Sequence, residues 1–160
     1  MSDFSKSWEI SRSRLLDTIS DLNDAQLNWR IHDSVASIGQ MAIHVAGVEV
    51  LFGSQILGTE LDEVGTRIKA SATDGVVNDK PFPFADEEIT TARVQDALSF
   101  AKGLVEQMII SPTKENLEIE LVSALGPVIT GQGALARLAF HPAYHQGQAY
   151  LIRTAPGFPR

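Results

Sequence analysis

The sequence predicts an all-α fold, a four-helix bundle with a long crossover after the second main helix and a small β-hairpin before the fourth. Three observations carry that prediction. Four segments repeat apolar residues at spacings of three and four. A stretch rich in Gly, Thr, Asp and Pro, residues 58–84, separates the second segment from the third. A short period-two pattern precedes the fourth. A single domain over residues 1–160 is expected, because a chain of 160 residues lies within the ~100–200 usual for one domain.

The first helix is expected over residues 3–22. Phe4, Trp8, Ser11, Leu15, Ile19 and Leu22 form one stripe, with Glu9, Arg12, Arg14 and Asp17 mostly outside it. Residues 22–33 read as a connector ending at Asp33-Ser34, a suitable N-cap. The second helix, residues 35–57, is apolar nearly all round, which predicts burial on more than one side. A short helix fits residues 60–70 within the crossover. The third spans residues 86–110, with Asp86, Glu87 and Glu88 at the positive end of its dipole and Val94, Leu98, Ala101, Val105 and Met108 facing inward. Residues 117–121 alternate and Pro127-Val128-Ile129 follows a glycine, the pattern of a short hairpin. The fourth helix starts at Thr130, reaches about residue 154 and is stopped by Gly157 and Pro159. At about 20–25 residues, each main helix is roughly 30–37 Å long.

Composition narrows the function. Thirteen Lys+Arg against 20 Asp+Glu give a net charge of −7, with no basic cluster, which argues against nucleic acid as the main partner. The most apolar stretch, residues 41–57, is interrupted by His44, Glu49 and Gln55, which argues against membrane insertion. The absence of cysteine removes disulfides, iron–sulfur ligation and a protein thiol nucleophile. Any metal must be held by nitrogen and oxygen. The first residues, MSDFSKSWEIS, lack the pattern of a signal peptide, so cytoplasmic residence is expected. No Ser-His-Asp ordering with a nucleophile motif is present, which argues against covalent catalysis by the protein itself.

The four histidines carry the chemistry. His141 and His145 are one turn apart and share a helix face, and His44 lies in the middle of the most apolar helix. A buried imidazole must satisfy both ring nitrogens, and metal ligation with one further hydrogen bond does so. Three such ligands leave coordination positions open, as in catalytic sites. The same residues also suit a plainer arrangement, in which His44 bonds a backbone carbonyl or Glu49 and the other two line a polar seam. Glu49 is a candidate for orienting His145 or for a base near the metal, and equally a partner for Arg30. Gln148 is a candidate to reach the cavity or to bond a neighbouring helix. Tyr144 reads as a packing residue, Gly147 as a point of close helix approach, Trp29 as a plug at the bundle end, and His32 as solvated.

Two segments stand out together. One comprises Leu27-Asn28-Trp29-Arg30, then Ser37-Ile38-Gly39-Gln40-Met41-Ala42-Ile43-His44 and Glu49. The other is His141-Pro142-Ala143-Tyr144-His145-Gln146-Gly147-Gln148, followed by Leu151-Ile152-Arg153 and Pro156-Gly157. Both resemble signatures of the DinB-like superfamily. The resemblance implies up-down-down-up topology and a homodimer. It also implies a divalent metal, zinc or nickel, on His44, His141 and His145, with a low-molecular-weight thiol as cosubstrate. The expected activity is metal-dependent thiol transfer or hydrolysis on a small molecule, with the external thiol or water as nucleophile. The alternative is a metal-free dimeric module that binds a small ligand or assembles, its ancestral site inactive. Pro142 bears on the choice. It cannot donate to the Leu138 carbonyl, so a kink or bulge is expected at residues 138–142, which either aims His141 or marks a site that no longer holds metal.

Overall fold

Side-chain caps set where the helices begin. In the computed structural model, which describes residues 2–160, the Ser2 side chain caps α1 (Asp3–Ile19). Asn23 and Gln26 form a reciprocal capping box on α2 (Asp24–Asn28), and Ser37 and Gln40 form another on α3 (Ile38–Leu57). Gly58, at φ 61°, ends α3 in the left-handed conformation that glycine adopts without strain. Asp62 caps α4 (Glu63–Ala70). A single 3-10 turn (Asp86–Glu88) precedes α5 (Thr91–Ile110), which Thr90 caps. Thr113 and Asn116 box α6 (Lys114–Glu118). Strands β1 (Glu120–Val122) and β2 (Val128–Thr130) pair antiparallel, Leu121 opposite Ile129. Thr130 then caps α7 (Gly131–Arg153).

Several boundaries differ from the sequence expectation. The first helix ends at Ile19, and the connector after it contains α2. The cap of α3 is Ser37 rather than Ser34, because only Ser37 has a glutamine three residues on to complete the box. The acidic triplet lies ahead of α5, and Glu88 turns back to the Arg67 guanidinium and the Ala85 amide instead of serving the dipole. Part of the segment expected as a strand is α6. Helix α7 runs as one element from Gly131 through Pro142 to Arg153, as expected.

End-to-end contacts fix the directions. Ser2 bonds the carbonyls of Ile109 and Ile110 at the far end of α5, while Asp24 accepts from Thr91 at its start. These make α1 and α5 antiparallel. Arg153 at the end of α7 reaches Asp21 and Thr18 at the end of α1, so α1 and α7 run parallel. Gly39 meets Ile89, just ahead of α5, and Gly53 meets Val105 near its end, so α3 and α5 also run parallel. The order is therefore up-down-down-up. Only the α3-to-α5 connection must travel the length of the bundle, which is why residues 58–90 form a long crossover.

Helix α3 has the length and apolarity of a membrane span, yet 78% of its most apolar window is buried inside the fold. Ile38, Ala42, Ile43, Val45, Ala46 and Val50 are fully enclosed. This central helix packs against α5, α7, α4 and α2, which accounts for a sequence that is apolar on every side. The inward stripe of α5 is buried as its periodicity predicts, from Val94 to Met108.

Candidate metal centre

Helices α3 and α7 each carry part of one buried cluster. The rings of His44, His141 and His145 lie with centroids 4.6 to 5.0 Å apart. One coordinating nitrogen from each lies within 4.8 Å of the other two. Nε2 of His141 and Nε2 of His145 are 3.1 Å apart.

The second nitrogen of two of the rings is already committed. His44 Nδ1–H donates to the Ser71 carbonyl at 2.8 Å, and His145 Nδ1–H donates to Gln148 Oε1 at 2.7 Å. Because each partner is an acceptor, both imidazoles carry their proton on Nδ1 and present an Nε2 lone pair to the common centre. The Ser71 carbonyl reaches His44 because Gly47, one turn on, has no side chain. A Cβ there would lie 2.3 Å from Ser71 Oγ and 2.7 Å from both the Ala72 amide nitrogen and the Ile68 carbonyl oxygen.

Burial keeps these rings neutral. It is the main cause that pushes His141 down to about 3, with His145 and then His44 adding repulsion. It also pushes His145 down to about 4, helped by His44 and opposed by the Gln148 bond. His44 is lowered by burial against the Ser71 bond. Neutral imidazole is the form that ligates metal. Zinc–nitrogen bonds of ~2.0–2.1 Å in a tetrahedral site require nitrogens roughly 3.3 Å apart, close to the His141–His145 separation. The donor set therefore fits a divalent ion of borderline softness.

The cluster forms the floor of a cavity of about 750 Å³ between α3 and α7. Val76 and Val77 of the crossover wall one side, Ala124 and Leu125 of the hairpin turn another, and Phe140 and Tyr144 of α7 stand at the rim. The lining is mainly apolar, with Gln40, Arg137 and Gln148 among its few polar groups. Such a space admits a small organic molecule to the histidines.

The DinB superfamily model matches residues 7–149, a span that includes all three histidines. The chain belongs to the DinB superfamily. The crystal structure of a conserved protein from Enterococcus faecalis is similar over 94% of this chain and 92% of its own, with a TM-score of 0.68 at 18% identity, a likeness of fold. No curated protein matches.

The other candidate residues of this DinB-superfamily chain fall differently. Glu49 is not beside the histidines. Five residues on from His44, it points ~140° around the helix axis, where Trp8 Nε1–H donates to Oε1 at 2.8 Å and the Arg12 guanidinium pairs with Oε2. Burial raises its pKa, opposed by Arg12 and Trp8. Arg30 pairs instead with Asp86, through two bonds of 2.8 and 2.7 Å. Gln148 does reach the cavity, as the acceptor that orients His145. Tyr144 is 57% exposed with its ring 5.0 Å from that of His145, so it borders the site instead of filling the core. Gly147 is exposed, and a Cβ at its position would meet nothing within 4 Å, so no helix approaches it. Trp29 packs edge-on against Phe158 at the bundle end, and His32 is exposed.

Sequence reasoning misses Ser71, Arg12 and Arg137. Ser71 takes part only through its carbonyl, which leaves no side-chain signal. Arg12 lies outside the periodic stripe of α1, although Trp8 and Ser11 of that stripe flank it. The glycine at position 47, inside an apolar helix, is the readable sign that a backbone passes close by.

Proposed function

We propose that this protein is a metal-dependent enzyme in which His44, His141 and His145 hold a divalent ion, zinc or nickel, beside a cavity for a small-molecule substrate. The observation that carries this reading is the convergence of three neutral imidazole nitrogens on one point at the cavity floor. A divalent ion bound there lowers the pKa of a water or thiol that joins it.

The chain's own groups do the rest. Ser71 and Gln148 fix the rotation and tautomer of His44 and His145, so that their lone pairs are aimed before any ion arrives. The apolar walls lower the polarity around the histidines and so strengthen electrostatic interactions beside them. With no cysteine in the chain, a thiol in the reaction comes from a low-molecular-weight cosubstrate, and thiol transfer is preferred to hydrolysis on the strength of the family. Neither Glu49 nor Gln148 is left free to act as a base, since their polar oxygens are committed to other partners.

The chain is taken to act in the cytoplasm and as a homodimer; large apolar side chains left exposed on α7 and the hairpin, Leu151 and Val128 among them, support the dimer. The test is elemental analysis of untagged protein. Close to one zinc or nickel per chain, lost in His44→Ala, is the expected result. A chain purified without metal that gains no thermal stability from added zinc or nickel overturns it, and leaves the apolar cavity as the pocket of a binding module.

A further inference from the structure

Arg137 stands four residues before His141, on the same face of α7 and ~6 Å away along the axis. It lines the histidine cavity. One edge of its guanidinium is held: Nη1–H donates to Ser123 Oγ at 2.7 Å. Ser123 is itself buried, and its amide donates to the Pro127 carbonyl at 2.9 Å within the hairpin turn. The turn between β1 and β2 therefore fixes where this cation sits.

Among the described residues, no acidic side chain lines the cavity, and none lies within 4 Å of the Arg137 nitrogens. In a chain of net charge −7, this half-buried guanidinium is fixed along one edge, lines an apolar space and has no acidic partner. Guanidinium recognises planar carboxylates through paired N–H donors, and the apolar walls suit a hydrocarbon body.

From this geometry we infer that the substrate is an apolar carboxylate whose anionic end is bound by Arg137, leaving its far end at the histidines. What happens to that far end rests on the metal reading above; the binding itself does not. Arg137 is thus a specificity-determining residue, and the hairpin that orients it is part of the binding site.

The test compares octanoate with 1-octanol, which share a chain and differ in charge, by calorimetric titration into chelator-treated protein. Removing metal first prevents the carboxylate from binding through an ion. Octanoate is expected to bind at least tenfold more tightly than octanol. That preference should vanish in Arg137→Gln, be partly kept in Arg137→Lys, and survive in Gly147→Ala, at an exposed position outside the cavity. Equal binding of the two, binding of neither, or a preference unchanged in Arg137→Gln overturns the inference. If the preference follows Arg137 while zinc fails to bind, the metal reading alone falls. If zinc binds and no carboxylate preference exists, this inference alone falls.

Discussion

Helix α3 buries two polar clusters five residues apart, and they are built to opposite ends. Around Glu49, both carboxylate oxygens are taken by Trp8 and Arg12, and Arg12 also donates to the Leu98 carbonyl, tying α1, α3 and α5 together. The histidine cavity does not reach that carboxylate. Around His44, the outward nitrogens of two rings are tied down while the inward ones face each other beside an open space. Burial is common to both. What separates a structural cluster from a binding one is whether a polar atom is left with capacity and with access.

The comparison can be broken most strongly at Glu49. Glu49→Ala leaves a buried guanidinium unpaired and is expected to destabilise the fold by about 3–5 kcal/mol. That lowers the melting temperature by roughly 10 °C for a domain of this size. Metal content per folded chain should be unchanged. A loss of metal at unchanged stability would join the two clusters that the geometry separates.

Gly47→Ala comes next. The added methyl meets the Ser71 hydroxyl and the Ala72 backbone. Overpacking of this kind costs ~1–3 kcal/mol, and displacing the Ser71 carbonyl from His44 should weaken metal binding as well. Thermal melts paired with zinc titration read both effects, and Gly53→Ala, which crowds Val105 away from the site, serves as the comparison.

Gln148→Ala acts on the binding cluster alone. Losing the acceptor that orients His145 should reduce metal affinity about 10–100-fold, with the melting temperature of the chelated chain nearly unmoved.

The smallest effect is the pH dependence of the metal-free chain. His141 and His145 are held at about 3 and about 4 in the fold, against ~6.5 when unfolded. Between these values the unfolded chain binds protons that the folded chain does not, so stability falls as pH drops below about 6.5. Bound metal should raise stability at each pH but leave the onset of the loss near 6.5, since protonation of the unfolded histidines sets it. Denaturant titrations at pH 7.5 and pH 5, with and without zinc, measure the difference.

The bundle is legible in the sequence because its signals are local and repeated. The stripes of α1 and α5 and the cap at Thr130 each follow from residues within one or two turns. The short helices α2 and α6 are also marked, by Asn23 with Gln26 and Thr113 with Asn116, but five residues are too few for periodicity to show. The histidine cluster is within reach because an i, i+4 pair and one imidazole in an apolar helix are visible in one dimension. The partner of Glu49 is not, since Arg12 lies 37 positions away and a charged residue next to an apolar stripe reads as exposed. Gly147 resembles a packing glycine from its neighbours, yet its side of α7 meets nothing. The cavity has the least sequence signature of all, because its walls come from α3, the crossover, the hairpin and α7.

Zinc titrated calorimetrically into chelator-treated protein tests the central claim most directly. One ion per chain is expected, abolished by His44→Ala, His141→Ala or His145→Ala and retained by Glu49→Gln. Absence of saturable binding in the wild-type chain, or stoichiometry that survives removal of any one of the three imidazoles, would contradict it.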